Sequence, residues 1–235
     1  MNEPFPLFFV NASDVLGRYS EVDKNASLIS ERYPVAQFPT ILDMCSGVGH
    51  YSYAFATHGY CVTGVELSED QVAYARTNNA HTNVEYLVGS MEESVGSSPF
   101  SLLTNTYSSF GYMVSLEKDQ EVLCNWFNLL SIGGALVMEL TDFERVKHVF
   151  AYPCAHKERV TNSVREELWM DWGNQILTVR YSQNDKVYKS QTRVYAKSQL
   201  ISMLRDAGFT DIHTYGDFAQ GLKTPEKRLI IECRK

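Results

Sequence analysis

Ile41-Leu42-Asp43-Met44-Cys45-Ser46-Gly47-Val48-Gly49 is the stretch on which the fold turns. An apolar run ends in an acid and passes into a glycine-bearing turn. A helix pattern follows over Ser52 to His58, with Gly59 as its C-terminal cap. A second apolar run, Cys61-Val62-Thr63-Gly64-Val65, closes on the carboxylate of Glu66. Strand, glycine turn, helix and strand in that order grip a nucleoside-containing cofactor at the carboxyl end of a parallel sheet. Glycine lets the backbone approach a ligand that a Cβ would repel. A carboxylate after the second strand can accept hydrogen bonds from both ribose hydroxyls.

The turn itself narrows the choice of cofactor. A dinucleotide fingerprint needs a third glycine so that pyrophosphate can rest on bare amides. Here the turn continues Gly49-His50-Tyr51-Ser52, and Asp43 precedes it. A carboxylate would repel pyrophosphate, whereas it suits the ammonium of an amino acid. A ligand with an amino-acid end, a ribose and an adenine is S-adenosylmethionine. The stretch resembles the first motif of the class I S-adenosylmethionine-dependent methyltransferases, commonly D-h-G-x-G-x-G. Cys45 replaces its first glycine, and Gly47 and Gly49 keep the other two. A side chain at Gly49 is expected to stand where the backbone meets the donor.

Composition bounds the rest. The 235 residues suit one domain, with 44% hydrophobic and 21% charged residues, as in ordinary globular proteins. A net charge of −7 argues against nucleic acid, which needs a basic surface. The five cysteines carry no C-x-x-C pair or ligand spacing, so no metal site is expected, and they read as reduced thiols of a cytoplasmic protein. The apolar run from Pro4 to Val10 is too short to span a membrane.

Along the chain, residues 11–34 carry helical patterning, and residues 1–38 read as a lid. Strands are expected near 40–44, 61–65, 84–88, 100–105 and 135–140. Helices are expected from Ser68, as N-cap, to Asn79 and from Asp119 to Leu130. The result is a doubly wound, Rossmann-like, mostly parallel sheet of seven strands. The rhythm then changes. Four alternating segments between 157 and 195, with turns at Gly173-Asn174 and Asn184-Asp185, read as an antiparallel sheet inserted after strand five. This insertion, residues 151–195, would be a substrate roof or a dimer contact, on a monomer or homodimer. A helix from Ser198 to Ala207 and strands at 212–215 and 228–233 complete the chain, with an antiparallel finish to the main sheet.

The segment after strand four, Asn105-Thr106-Tyr107-Ser108-Ser109-Phe110-Gly111-Tyr112, is the second signal. It resembles N-x-x-x-S-F-G-Y of a bacterial small-molecule methyltransferase group, and the resemblance reaches Leu129 to Gly134, Arg193 to Tyr195 and Arg228-Leu229. It implies methyl transfer to an oxygen or nitrogen of a small molecule, with secondary metabolism as the expected setting. It further implies a donor site of Asp43, Cys45, Ser46, Gly47, Gly49, Glu66, Leu67, Ser90, Met91 and Asn105, covered by Tyr19 of the lid. Ser90 stands where the family usually shows an Asp. Candidate catalytic groups are Tyr107, His148 and His156; each histidine could take a proton from an acceptor. Substrate contacts are expected from Tyr107, Trp169, Arg193 and Tyr195, with Arg193 a possible clamp for a carboxylate or phosphate. The aromatics and the acidic net charge favour a flat or apolar acceptor. The competing readings are a nucleotide-dependent oxidoreductase and a non-catalytic cofactor-binding protein.

Overall fold

The computed structural model describes residues 6–93, 95 and 99–235. Two helices, α1 (Leu7–Val15) and α2 (Val22–Arg32), precede β1 (Thr40–Met44), α3 (His50–Thr57), β2 (Cys61–Glu66), α4 (Glu69–Asn78) and β3 (Val84–Val88). Then follow β4 (Phe100–Asn105), α5 (Leu116–Leu129), β5 (Leu130–Leu140) and α6 (Phe143–Phe150). A second sheet comprises β6 (His156–Thr161), β7 (Val164–Asp171), β8 (Ile176–Gln183) and β9 (Lys186–Arg193), before α7 (Lys197–Asp206), β10 (Thr210–Tyr215) and β11 (Leu229–Arg234). Ser68 caps α4 by accepting from the Gln71 amide, and Glu69 and Asp70 sit at the positive end of its dipole.

The main sheet runs β10-β11-β5-β4-β1-β2-β3, and only β11 opposes the common direction. It is the expected seven-stranded, mostly parallel, Rossmann-like sheet. The order reverses at β1, which pairs with β2 on one side and β4 on the other. A crevice therefore opens beyond the carboxyl ends of β1 and β4. Helices cover both faces. Ile41, Leu102 and Val137 pack with α2 and α3 residues such as Ile29 and Phe55. Their neighbours Leu42, Leu103, Leu136 and Met138 pack on the other face with Leu123, Trp126 and Leu204. Burial of both faces explains why these strands are continuous apolar runs rather than alternations.

The second sheet is a four-stranded antiparallel meander. It is tied to the loop after β4 where the Arg193 amide donates to the Gly111 carbonyl at 2.9 Å. A Cβ on Gly111 would overlap the Arg193 backbone there. Val146 and Phe150 of α6 join Met170 and Val194 in a separate small core.

Several expectations are corrected. The patterning over 11–34 is two helices, broken at a turn where Gly17 has a φ of +66°. Residues 1–5 of the expected lid lie outside the described residues. Helix α6, capped by Asp142 accepting from the Arg145 amide, forms between the fifth strand and the second sheet, where the sequence patterning gives no helix. The fifth strand starts at Leu130 rather than Ala135, with an irregular register that pairs Phe100 with Leu130 and Leu102 with Ala135. At the end of the chain β11 alone is antiparallel to the sheet, because β10 turns back beside it. No helix among the described residues is long and apolar enough to cross a membrane.

Candidate functional site

Two cavities meet at the carboxyl edge of the sheet, and Arg18, Tyr107 and Tyr112 line both. The first lies over the glycine turn and is lined by Cys45, Ser46, Gly47, Val48, Glu66, Gln71 and the lid residue Tyr19. The second, about 330 Å³, lies between the sheet edge and the inner face of the second sheet.

The backbone of the turn explains its sequence. Cys45, Gly47 and Gly49 all have left-handed φ, of 64°, 57° and 82°. Glycine adopts that region freely, while Cys45 does so with a Cβ. Glu66, 8% exposed, closes the turn by accepting from the Gly47 amide at 3.1 Å and the Ser68 amide at 2.9 Å. Burial raises its pKa above the usual carboxylate range, against those hydrogen bonds. The Ser46 hydroxyl is buried in the same wall, with no hydrogen-bond partner among the described residues.

Asp43 is placed differently from the expectation. It is 1% exposed, and its oxygens accept from Ser52 Oγ at 2.6 Å and Thr104 Oγ1 at 3.0 Å. It lies beneath the turn, tying β1 to α3 and β4, and does not line the cavity. Gly49 is likewise corrected: an added Cβ would overlap the Tyr86 ring of β3 rather than face the cavity. Asn105 is fully buried and donates to the Met44 carbonyl at 2.9 Å, supporting the turn from β4. Ser90 Oγ accepts from the Glu92 amide at 3.3 Å, Met91 is in the core, and Leu67 stands exposed beside Glu66.

Tyr107 sits where the cavities join. It and Ser108 both have left-handed φ, 57° and 63°, a concentration of backbone strain at the cleft. The Tyr107 amide donates to Glu139 Oε2 at 2.9 Å, which holds the strained turn. Its ring meets Tyr19 edge-on at 5.6 Å and Tyr51 at 5.5 Å, while the Arg228 guanidinium lies 5.8 Å from its centre. Burial, then the charge of Glu139, keeps its hydroxyl protonated. Tyr19 also packs 4.3 Å from the His50 ring, whose pKa burial lowers from its ordinary value.

The strand period sorts the remaining candidates. On β7, Glu166 and Leu168 face the cavity, so Trp169 alternates to the outer face, where it stacks on exposed His156 at 5.4 Å. His148 is exposed on α6. His148, His156 and Trp169 line neither cavity. Arg193 and Tyr195 do line the second cavity, but both are engaged. Arg193 donates to the carbonyls of Asn174 and Val114, at 2.9 and 3.4 Å, and the Tyr195 hydroxyl donates to Asp119 at 2.6 Å. Phe110 packs against Trp126 and Tyr195 in the core.

Sequence reasoning missed Arg18, which reaches from the lid to Glu166 Oε1 at 2.9 Å and the Tyr181 hydroxyl at 2.7 Å. It also missed Tyr51, Gln71, Arg145 and Glu166. Burial would raise Glu166, but the hydrogen bond from Arg159 and the charge of Arg18 outweigh it and hold Glu166 below the usual range. None of these residues stands at a motif spacing, so no local signal marked them.

Residues 41–134 match a protein family described as a methyltransferase domain. The match begins at β1 and ends inside β5, so it contains the glycine turn, Glu66 and Tyr107. A candidate methyltransferase of Geobacillus sp. (strain WCH70) is 24% identical over 76% of this chain and 76% of its own length. The same architecture occurs in an S-adenosylmethionine-dependent methyltransferase from Clostridium acetobutylicum ATCC 824, with a TM-score of 0.80 at 13% identity, covering 96% of this chain and 97% of that one. A SAM-bound amino pentose methyltransferase from Micromonospora echinaspora superposes with a TM-score of 0.70 at 15% identity over 100% of both chains. The fold is the one these solved methyltransferases share.

Proposed function

We propose that this chain is an S-adenosylmethionine-dependent methyltransferase that moves a methyl group to a nitrogen or oxygen of a small molecule. The observation that carries the reading is the junction of the two cavities at Arg18, Tyr107 and Tyr112. One cavity has a glycine turn and a buried carboxylate, and the other has room for an acceptor. The residues fit the donor. Glu66 retains acceptor capacity for ribose hydroxyls beyond its two amide bonds, Ser46 Oγ is an unpaired buried hydroxyl, and Gly47 presents no side chain.

When bound, S-adenosylmethionine supplies an electrophilic methyl group on a sulfonium. An acceptor lone pair would form the new bond to carbon as the carbon–sulfur pair returned to sulfur, releasing a neutral thioether. An amine acceptor must arrive deprotonated, so its pKa and the pH govern the rate. The protein's work is alignment and exclusion of water. Tyr107, fixed by Glu139 and neighbouring rings, shapes the passage between the cavities. The α1–α2 segment acts as a lid through Tyr19 and Arg18, and the second sheet as a roof.

Calorimetry with S-adenosylmethionine and with NADH tests the reading. Binding of the first alone is expected. Glu66→Ala should weaken it by about 1.5–3 kcal/mol, the range for hydrogen bonds to a charged group. A loss of only a few tenths would mean that Glu66 holds the turn and does not touch the donor.

A further inference from the structure

The lining of the second cavity contradicts the charge of the whole chain. The chain carries −7, yet Arg18, Arg145, Lys157, Arg159, Arg193 and Arg228 line the cavity against only Asp142 and Glu166. Both acids are already engaged. Asp142 lies 3.0 Å from Lys223 Nζ, and Glu166 is shared by Arg18 and Arg159. Lys157 Nζ donates to the Val149 carbonyl at 2.6 Å, and Arg193 is held by two carbonyls. Two guanidiniums remain under-compensated. Arg145 makes no side-chain hydrogen bond or ion pair among the described residues; Asp142 and Glu139 act on it only through space. Arg228 Nη1 is ion-paired with Glu139 at 3.3 Å, but it is buried and makes no hydrogen bond among the described residues. Burial, together with the charges of Arg228 and Arg159, disfavours the cationic form of Arg145. Like charges gathered in a cavity repel strongly where water is scarce, and an anion in their midst removes the repulsion.

We propose that the methyl acceptor is an anion whose carboxylate or phosphate group is bound by Arg145 and Arg228. This rests on reading the joined cavities as a methyl-transfer site. A planar guanidinium fork matches two oxygens of either group. The opposite wall, with Leu168, Leu177 and Val179 from the second sheet, covers the apolar part of the molecule. Its reacting atom then points to Tyr107 and Tyr112, toward the donor. The acceptor is thus anchored by charge at one end, rather than being simply flat and apolar. Arg145 and Arg228 take the clamp role expected of Arg193.

The test is calorimetric titration of the full chain with inorganic phosphate, benzoate and benzamide, in the presence and absence of S-adenosylhomocysteine. At least one anion should bind tenfold or more tightly than the neutral amide. Tighter benzoate assigns a carboxylate acceptor, and tighter phosphate a phosphorylated one. Arg145→Gln and Arg228→Gln should each weaken the preferred anion at least tenfold, and Arg145→Lys, which keeps the charge but loses the fork, should weaken it less than Arg145→Gln does. Arg145→Gln should leave S-adenosylhomocysteine affinity within twofold. The proposal is overturned if benzamide matches both anions, or if the glutamine variants, folded by circular dichroism, bind the anion as tightly as the parent chain. Anion binding without S-adenosylhomocysteine binding would sink the methyltransferase reading and leave the anion site standing. Binding of S-adenosylhomocysteine with no anion preference would do the reverse.

Discussion

Cys45 shows at one residue how the glycine turn constrains its sequence. Its left-handed φ of 64° is a conformation that disfavours a Cβ by about 1–2 kcal/mol. Cys45→Gly relieves that strain but adds freedom to the unfolded chain, worth about 0.4–1 kcal/mol. Thermal melts should therefore show a small gain at most, since glycine also loses the packing of the Cys45 side chain on the core, with donor binding kept. Cys45→Val adds a β-branched side chain at the same φ and should lower both stability and donor affinity; normal binding by that variant would show that the turn can relax. Asp43 makes a prediction about pH. Burial raises it from 3.8 to about 6, opposed by hydrogen bonds from Ser52 and Thr104. Between those values the folded protein holds a proton that the unfolded chain has lost. Its contribution to stability is therefore full below the window and is lost as pH rises through it, by about 3 kcal/mol in all. Asp43→Asn has no proton to release, so denaturant melts between pH 4 and 7 should show a flatter profile than the parent chain. An unchanged profile would mean that Asp43 stays ionised in the fold. The acid before the turn was legible in the sequence. Its direction was not, because Ser52 is 9 residues away and Thr104 is 61, and only packing brings both hydroxyls onto it.

At the scale of elements, the turn between α1 and α2 does more than connect them. Arg18 crosses from this turn to Glu166 of β7 and Tyr181 of β8, so lid and second sheet are fastened through one side chain. Hydrogen bonds to charged partners contribute about 1.5–3 kcal/mol when partly buried. Arg18→Ala should therefore speed amide exchange over residues 16–22 and weaken S-adenosylmethionine by about tenfold, while the exchange of β1 and β4 stays slow. Unchanged exchange in the turn would show that aromatic packing alone holds the lid. The strands of both sheets were legible because the apolar runs of β1, β4 and β5 and the alternation of β8 are local patterns. Helix α6 was not, since no glycine marks its end as Gly59 marks that of α3; its left-handed C-cap is Ala151.

For the whole molecule, the second sheet closes the second cavity against the carboxyl edge of the first. Removing residues 157–194 and bridging the ends should leave donor binding measurable, although weakened by the loss of the partners of Arg18. Methyl transfer should be abolished. Calorimetry and a transfer assay on the same preparation check both halves, and surviving transfer would mean that the roof is dispensable. The sequence by itself determined the parallel sheet, its glycine turn and the position of Glu66. Each of these is a local requirement: a buried run, a left-handed φ, and a carboxylate one step beyond a strand. Only the tertiary structure decided which side chains face the second cavity. A strand alternates faces, so Leu168 turns inward and Trp169 outward according to how the sheet docks. The charge of the cavity was hidden for the same reason. Arg18, Arg145, Arg159 and Arg228 lie on four separate segments of an acidic chain, and their juxtaposition exists only once the second sheet has folded over the first.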